Sequence, residues 1–211
     1  MKDLTETIRN NRLIPVIKIN DNKQTLHLIE ALVTGGISIA EITFRTALAP
    51  VAIETVRTHR EDVLVGAGTV LNVKQAQEAL QVGAQFIVSP GFNPDVVDFC
   101  LERKIPVIPG VSTPTEVEAG MAKGLSVLKF FPAEISGGVG MLKALGAVYD
   151  VQFMPTGGIS EKNLLSYLSL KNVLACGGSW MVKPELIDAG KFDEIQAITH
   201  SAVQLLQGLR Q

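Results

Sequence analysis

The fold of this chain can be traced outward from one short stretch, Val127-Leu128-Lys129-Phe130-Phe131-Pro132-Ala133-Glu134. Its apolar start and its proline predict a buried strand that ends near Pro132. Lys129 lies inside this strand, where an unpaired ammonium is costly to bury. Such a lysine reaches solvent, pairs with a carboxylate or loses its proton, and a neutral lysine is a nucleophile toward carbonyl carbon. A strand-end lysine whose ammonium reaches solvent is the simplest interpretation, and it stays open at this point.

Seven more stretches of this kind occur along the chain. Their starts are spaced by about 20–25 residues, which leaves room for one strand, one helix and two turns in each repeat. Together with the stretch around Lys129, the predicted strands cover residues 15–19, 39–44, 64–70, 86–90, 106–111, 127–131, 152–156 and 173–177.

Helical patterns lie between these strands. They cover residues 22–34, 72–82, 115–123, 163–170 and 187–209, and several end at a glycine. A further helix is predicted at the N-terminus, with Asp3 or Thr5 as its cap. Eight βα repeats predict an α/β fold, a (β/α)8 TIM barrel formed by residues 1–211 as a single domain with an N-terminal helix. A doubly wound sheet is the structural alternative.

Composition argues against several classes of protein. The chain has 211 residues, 46% of them hydrophobic, and a net charge of −2. No basic field is available to bind nucleic acid, and no apolar run reaches transmembrane length, so neither nucleic acid nor a membrane is an expected partner. The N-terminal residues are polar and lack the apolar core of a signal peptide. We expect a cytoplasmic protein.

The cysteines and histidines do not form a recognisable site. Cys100 and Cys176 are too few for a disulfide framework, and their apolar surroundings predict small buried hydrophobic side chains. His27, His59 and His200 are scattered over helical segments without the spacing of metal ligands. The sequence predicts neither a metal nor a cofactor.

Polar residues at the ends of the predicted strands mark the site, because barrel enzymes place their chemistry there. In the second strand, parity puts Glu41, Thr43 and Arg45 on one face. A glutamate inside an apolar strand rarely serves solubility, and a structural salt bridge across the barrel, from Glu41 to Lys129, is the alternative to a role in the site. Glu41 and Arg45 would lie about 13 Å apart on a straight strand, so if both serve one pocket the chain must bend back after Phe44.

Glycines follow three of the strands. Gly66 and Gly68 allow close approach of backbone and ligand, and Thr69 offers a hydroxyl, unless this segment is only a turn with a helix cap. Gly157-Gly158 follows the seventh strand and Gly177-Gly178-Ser179 the eighth. Loops at these two positions commonly bind phosphate through backbone N–H groups, and ordinary tight turns are the alternative.

Five stretches together resemble the 2-keto-3-deoxy-6-phosphogluconate (KDPG) aldolases. The likeness spans essentially the whole chain, in order and at family-like spacing. The stretches are Glu41-Ile42-Thr43-Phe44-Arg45-Thr46, Gly66-Ala67-Gly68-Thr69-Val70, Lys129-Phe130-Phe131-Pro132-Ala133-Glu134, Pro155-Thr156-Gly157-Gly158-Ile159 and Gly177-Gly178-Ser179-Trp180.

The resemblance implies roles for individual residues. Lys129 would form a Schiff base, Glu41 would be the acid/base and Arg45 would hold the substrate carboxylate. The full set of substrate-binding residues that we assign is Arg45, Thr69, Pro90, Phe131, Thr156, Gly157, Gly158, Gly178 and Ser179. Some relatives carry an arginine at the position of Lys18. Lys18 is either a phosphate ligand or a surface lysine.

The expected function is that of a class I aldolase without a cofactor. It would cleave 2-dehydro-3-deoxy-6-phosphogluconate to pyruvate and glyceraldehyde 3-phosphate, and also 4-hydroxy-2-oxoglutarate to pyruvate and glyoxylate. The partner is thus a small phosphorylated keto acid, and the family implies a homotrimer. The alternatives are a 6-phosphogalactonate-type aldolase, a phosphate-binding barrel for another reaction, a metal-dependent aldolase, and a non-catalytic phosphate-binding protein.

Overall fold

A computed structural model describes residues 4–208 of the chain. Within that range nine short strands form two parallel sheets. Six strands lie in the order β5-β4-β3-β2-β1-β9, and three lie in the order β6-β7-β8. The strands are β1 Leu13–Ile17, β2 Ile39–Thr43, β3 Leu64–Gly68, β4 Ile87–Val88, β5 Val107–Ile108, β6 Gly110–Val111, β7 Val127–Phe130, β8 Gln152–Pro155 and β9 Cys176–Gly178.

Helices connect the strands and cover the sheets. A 3-10 turn, Asn22–Gln24, precedes the second helix. The α-helices are α1 Leu4–Asn11, α2 Thr25–Thr34, α3 Ala49–His59, α4 Val73–Gln81, α5 Pro94–Glu102, α6 Pro114–Ala122, α7 Gly138–Gly146, α8 Glu161–Leu168, α9 Pro184–Asp188 and α10 Phe192–Gln207. Within residues 4–208, no helix is long and apolar enough to cross a membrane.

The strand order brings the first and the last strand together. From β1 to β5 each strand pairs with the next in sequence, and β9 returns to pair with β1. A parallel bridge between Thr156 and Gly177 continues the order from β8 to β9, so apart from the break between β5 and β6 the strands neighbour one another in sequence. This order lacks the reversal of a doubly wound sheet, and that structural alternative is wrong. The result is an α/β fold in which a curled parallel sheet, about half of a barrel, stands beside a smaller parallel sheet.

The strands form where apolar residues are covered on both faces, as is typical of parallel sheets. All five residues of β1 and all five of β2 are buried, including Glu41 and Thr43. The predicted strand 106–111 is divided into β5 and β6 at Pro109. A proline has no N–H to donate to a sheet, so the ladder is interrupted there.

Glycines and caps set the helix ends. Asn72 caps α4 by accepting a hydrogen bond of 2.9 Å from the Gln75 N–H. The helix predicted over residues 187–209 is in fact α9 and α10, because Gly190 adopts a left-handed φ of 66° between them. Leu209 lies outside the described residues.

Several predicted boundaries also differ. The first strand begins at Leu13 rather than at residue 15, because it pairs with β9 from Leu13 onward. At the N-terminus α1 forms as predicted, but Thr5 lies inside it and is not its cap. Asp3 lies outside the described residues.

The cysteines and histidines lie where the sequence predicts them. Cys100 and Cys176 are free and buried, and burial raises the pKa of the Cys100 thiol to about 11. His27, His59 and His200 are exposed on helices.

Candidate active site

A cavity of about 300 Å³ opens where the carboxyl ends of the strands meet. All nine predicted substrate-binding residues and Lys129 line it. Larger grooves, of about 620 and 700 Å³, are lined by residues from the opposite ends of the strands, such as Arg12 and Leu64. The predicted site residues other than Glu41, which is buried behind Lys129, gather in the smaller cavity, so chemistry rather than size selects it. Lys18 is half-buried and does not line the cavity.

Lys129 is buried in the wall of this cavity. The residue is 4% exposed, and its Nζ lies 3.3 Å from Oε1 of Glu41. The Phe131 ring lies on another side, with its centroid 5.2 Å from Nζ. The interpretation that the ammonium simply reaches bulk solvent is therefore wrong. The lysine faces a cavity and a carboxylate.

Glu41 is fully buried, and only one of its carboxylate oxygens is paired. Oε1 accepts the contact from Lys129, while Oε2 has no hydrogen-bond partner within residues 4–208. Buried polar atoms are rarely left in this state, and a catalytic role is one of the established explanations. An unpaired carboxylate oxygen beside an amine is available to take up a proton.

The glycines of β3 make room for the protein's own side chains. A Cβ at Gly68 would overlap the Glu41 carboxylate, and a Cβ at Gly66 would overlap the Phe86 ring. The close approach predicted at these glycines thus occurs, but to Glu41 and Phe86 rather than to a ligand. Gly68 is what lets Glu41 lie beside Lys129.

Arg45 reaches the same cavity because the chain turns sharply, as predicted. Strand β2 ends at Thr43, and the Phe44 N–H donates to the Gly68 carbonyl at 2.8 Å. Residues 44–48 then form turns. Arg45 folds back so that its Nε donates to Thr43 Oγ1 at 3.0 Å. The bend brings Arg45 to the cavity that Lys129 lines.

Thr69 and Pro90 form another part of the wall. Thr69 adopts a left-handed φ of 56°, which is uncommon for a β-branched residue. It is not a helix cap, since Asn72 has that role. Pro90 is fixed by close backbone packing, because a Cβ at Gly110 would overlap the Pro90 carbonyl.

The loop after β8 depends on its two glycines. Gly157 and Gly158 both have left-handed φ, at 99° and 81°, which favours glycine. The loop leads into α8, where Ser160 and Asn163 form a capping box. Gly178 and Ser179 face the cavity from the end of β9, and Ser179 is exposed.

The loop after β7 is tied to the loop after β8. The Ala133 N–H donates to the Thr156 carbonyl at 2.8 Å, and the Glu134 N–H donates to the Gly157 carbonyl at 3.1 Å. The Tyr167 hydroxyl also donates to Glu134 Oε1. Burial, followed by this bond, raises the pKa of Tyr167. Sequence reasoning missed this link, and the Glu134 that ends the opening stretch was its only visible signal.

Thr156 Oγ1 is a further available group. It is buried and has no hydrogen-bond partner in the described part of the chain. A Cβ at Gly177 would overlap it, so the glycine leaves space for the hydroxyl. A ligand in the cavity can therefore bind this hydroxyl without breaking an existing hydrogen bond.

Among residues 4–208 no group of three or more His, Cys, Asp or Glu side chains could hold a metal ion. What the cavity does offer is a buried primary amine and an arginine, with the Glu41 carboxylate against the amine behind the wall. An α/β fold with this set of groups at its strand ends is typical of carbon–carbon lyases that act through an amine.

The comparison with protein families agrees with this class. A family model described as KDPG and KHG aldolase matches residues 4–198. The chain therefore belongs to the family of KDPG and KHG aldolases and is an aldolase, as its resemblance predicted.

Relatives cover nearly the full chain. The 2-dehydro-3-deoxy-phosphogluconate aldolase of Treponema pallidum is 48% identical over 98% of this chain and 99% of its own. The KHG/KDPG aldolase of Escherichia coli is 43% identical over 91% of each chain. A crystal structure of KDPG aldolase from Legionella pneumophila, 38% identical, superimposes with a TM-score of 0.92 over 95% of this chain and 98% of its own. That structure holds pyruvate captured at low pH as a covalent carbinolamine intermediate.

Proposed function

We propose that this chain is a class I aldolase that cleaves 2-dehydro-3-deoxy-6-phosphogluconate to pyruvate and glyceraldehyde 3-phosphate. The observation that carries the proposal is the buried amine of Lys129, 3.3 Å from Glu41 in the wall of a cavity that Arg45 also lines. The pyruvate intermediate held by the Legionella pneumophila relative supports the same chemistry.

The reaction begins at Lys129. Its free amine attacks the C2 carbonyl of the keto acid to give a carbinolamine, which loses water to form an iminium. The iminium accepts the electron pair of the C3–C4 bond as that bond breaks. Glu41 takes the proton of the C4 hydroxyl, directly or through a water molecule, and its unpaired Oε2 is suited to this role. The aldehyde leaves, and the remaining enamine is protonated at C3 and hydrolysed to pyruvate.

The other lining residues hold the two ends of the substrate. Arg45 pairs with the C1 carboxylate and keeps the carbonyl near Lys129. The phosphate binds at the backbone of Gly157, Gly158 and Gly178 and at the Ser179 hydroxyl. The remaining assigned residues shape the middle of the cavity: Thr69, Pro90, Phe131 and Thr156.

Trapping with pyruvate and borohydride tests the proposal. Reduction should leave one adduct, on the peptide that contains Lys129, as found by mass spectrometry. The variant Lys129→Met should give no adduct, whereas Lys18→Met, which removes a lysine outside the cavity, should give the wild-type adduct. Absence of an adduct from the wild-type protein, or an adduct on another lysine, would contradict the mechanism.

A second substrate, 4-hydroxy-2-oxoglutarate (KHG), is favoured by the description of the family and by the name of the Escherichia coli relative. Coupled assays of pyruvate release from this acid and from the two C4-epimeric 6-phosphates would rank the substrates. Ser179→Ala should raise KM about tenfold for the phosphorylated acids, since it removes a hydrogen bond to a charged group. It should leave 4-hydroxy-2-oxoglutarate unaffected, and an equal effect on both would remove Ser179 from the phosphate site.

We also propose that the two sheets close into one (β/α)8 barrel, forming a single domain over residues 1–211. Two observations support closure. Only Pro109 separates β5 from β6, and a parallel bridge joins Thr156 beside β8 to Gly177 in β9.

A homotrimer in the cytoplasm completes the proposal. The trimer follows from the resemblance to the family, and light scattering on the purified protein would give the subunit number.

A further inference from the structure

Thr43 lies between Glu41 and Arg45 and is fully buried. Its hydroxyl makes two hydrogen bonds. Oγ1 donates to the Ile17 carbonyl at 2.7 Å, across the pairing of β1 and β2, and it accepts from Arg45 Nε at 3.0 Å. A single buried hydroxyl therefore connects the sheet to the arginine at the cavity.

The direction of these bonds is fixed by the chemistry of the groups. A hydroxyl has one hydrogen to donate, and in Thr43 that hydrogen goes to a carbonyl that can only accept. The oxygen is left with its lone pairs, and Arg45 can only donate to them. Because Thr43 is itself β-branched and buried, its χ1 angle is restricted, and so is the direction of the bond to Arg45.

The bond occupies the inner nitrogen of the guanidinium and leaves the outer two. The structure gives the terminal nitrogens of Arg45 no partner within residues 4–208. Arg45 is an exposed residue at the rim of the cavity, where a long side chain would otherwise sample several rotamers. Held at Nε, the planar group presents its two outer nitrogens together, which is the arrangement that binds a carboxylate through two parallel bonds.

We propose that Thr43 is a positioning residue that holds Arg45 in the orientation for a 2-keto acid, so that its hydroxyl contributes to selectivity for a carboxylate next to the reacting carbonyl. The inference rests on the carboxylate-binding role proposed for Arg45. It adds a residue that does not line the cavity and acts only through the arginine.

Thr46 provides a matched control on the same turn. Its Oγ1 donates to the Ile19 carbonyl at 2.7 Å, which is the same kind of bond to the segment that includes β1. It makes no hydrogen bond to Arg45. Thr46→Val therefore loses an equivalent anchoring bond without touching the arginine.

The experiment compares borohydride trapping at Lys129 by pyruvate and by methyl pyruvate, which has the same ketone without the negative charge. Thr43→Val should raise the half-saturating concentration of pyruvate about tenfold, since a hydrogen bond that orients a charged group is lost. The value for methyl pyruvate should not change. Thr43→Ser should restore the wild-type ratio of the two ketones, and Thr46→Val should retain it.

A second measurement places the effect on Arg45. In an Arg45→Lys background, which has no Nε donor, Thr43→Val should add nothing to the loss of pyruvate selectivity. The ratio between the two ketones is measured on one sample, so it does not depend on the folded fraction. If the valine variant does not fold, Thr43→Ala takes its place.

Three results would overturn the inference: equal losses for pyruvate and methyl pyruvate, equal losses in Thr43→Val and Thr46→Val, or additive losses with Arg45→Lys. Each of these leaves the aldolase proposal intact as long as the wild-type protein is trapped at Lys129. Failure of wild-type trapping, by contrast, removes the proposed function itself.

Discussion

Two lysine–carboxylate pairs in this protein have opposite surroundings. Lys123 and Asp98 lie on the surface with side chains 36% and 45% exposed, and Nζ contacts both carboxylate oxygens, at 2.7 and 2.8 Å. Lys129 and Glu41 are buried, yet they share one contact of 3.3 Å, and Glu41 Oε2 is left without a partner in the described residues. The pair with the shorter and more numerous contacts is therefore the one exposed to water.

This contrast indicates the role of the buried pair. A surface pair contributes about 0–1 kcal/mol. A buried pair must recover the cost of desolvating two charges, which requires short contacts and full hydrogen bonding. Lys129 and Glu41 meet neither requirement. A pair that is poorly arranged for stability but faces a cavity is better explained by the reaction that it performs.

The largest expected effect comes from Lys129→Met. Turnover should fall on the order of 10⁴-fold or more, as when other nucleophiles are removed. Stability should also fall by about 3–5 kcal/mol, because Glu41 is left as an unpaired buried charge. Combining Lys129→Met with Glu41→Gln should recover most of that stability and none of the activity. Urea unfolding and a coupled pyruvate assay measure the two quantities, and a double variant as unstable as the single one would contradict this account.

Glu41→Gln alone separates the two steps of the mechanism. Turnover should fall about 10²–10⁴-fold, the range for loss of a general base. Trapping of pyruvate at Lys129 should persist, because imine formation needs the amine and not the C4 proton acceptor. Loss of trapping in a protein whose circular dichroism spectrum is native would mean that Glu41 acts earlier than we propose.

Gly68→Ala displaces the carboxylate without removing it. The added Cβ would overlap Glu41, so the side chain must move, and a shift of about 1 Å can cost on the order of 10²-fold in turnover. Gly66→Ala is the matched control on the same strand, since its Cβ meets Phe86 instead. Gly66→Ala should lower the melting temperature. It should lower turnover per folded molecule much less than Gly68→Ala does. Equal losses of turnover in the two variants would point to general disruption of β3.

The smallest effect is expected at the surface. Lys123→Ala should change the free energy of unfolding by less than about 1 kcal/mol and leave turnover unchanged, because water already solvates both partners. The change should shrink further in high salt. A loss as large as that of Lys129→Met would break the contrast between the two pairs.

The sequence predicted the strands better than the helices between them. Strands such as β7 are short apolar runs that can be recognised from the local sequence. Helix α7 was missed because its glycines conceal the helical pattern, and its formation depends on burying Leu142 and Leu145 against the rest of the protein. Helices α3 and α5 were missed as well. Tertiary packing of this kind cannot be read from a local pattern.

The candidate site shows the same division. Residue type and the alternation of side chains along a strand were enough to single out Lys129 and Glu41. They also predicted that the chain must bend to bring Arg45 to the same cavity. Gly68 was noticed, but its true neighbour was not, since Glu41 lies on the adjacent strand. The bonds of Thr43 were beyond reach for the same reason, because their acceptor, the Ile17 carbonyl, is 26 residues away in the chain.

The two backbone hydrogen bonds between the loops after β7 and β8 have one more consequence. They join Ala133 to Thr156 and Glu134 to Gly157 through main-chain atoms only. The spacing between the loop that follows the strand of Lys129 and the loop of the two glycines is thus set by backbone atoms. Substitution of side chains around the cavity leaves these two hydrogen bonds in place.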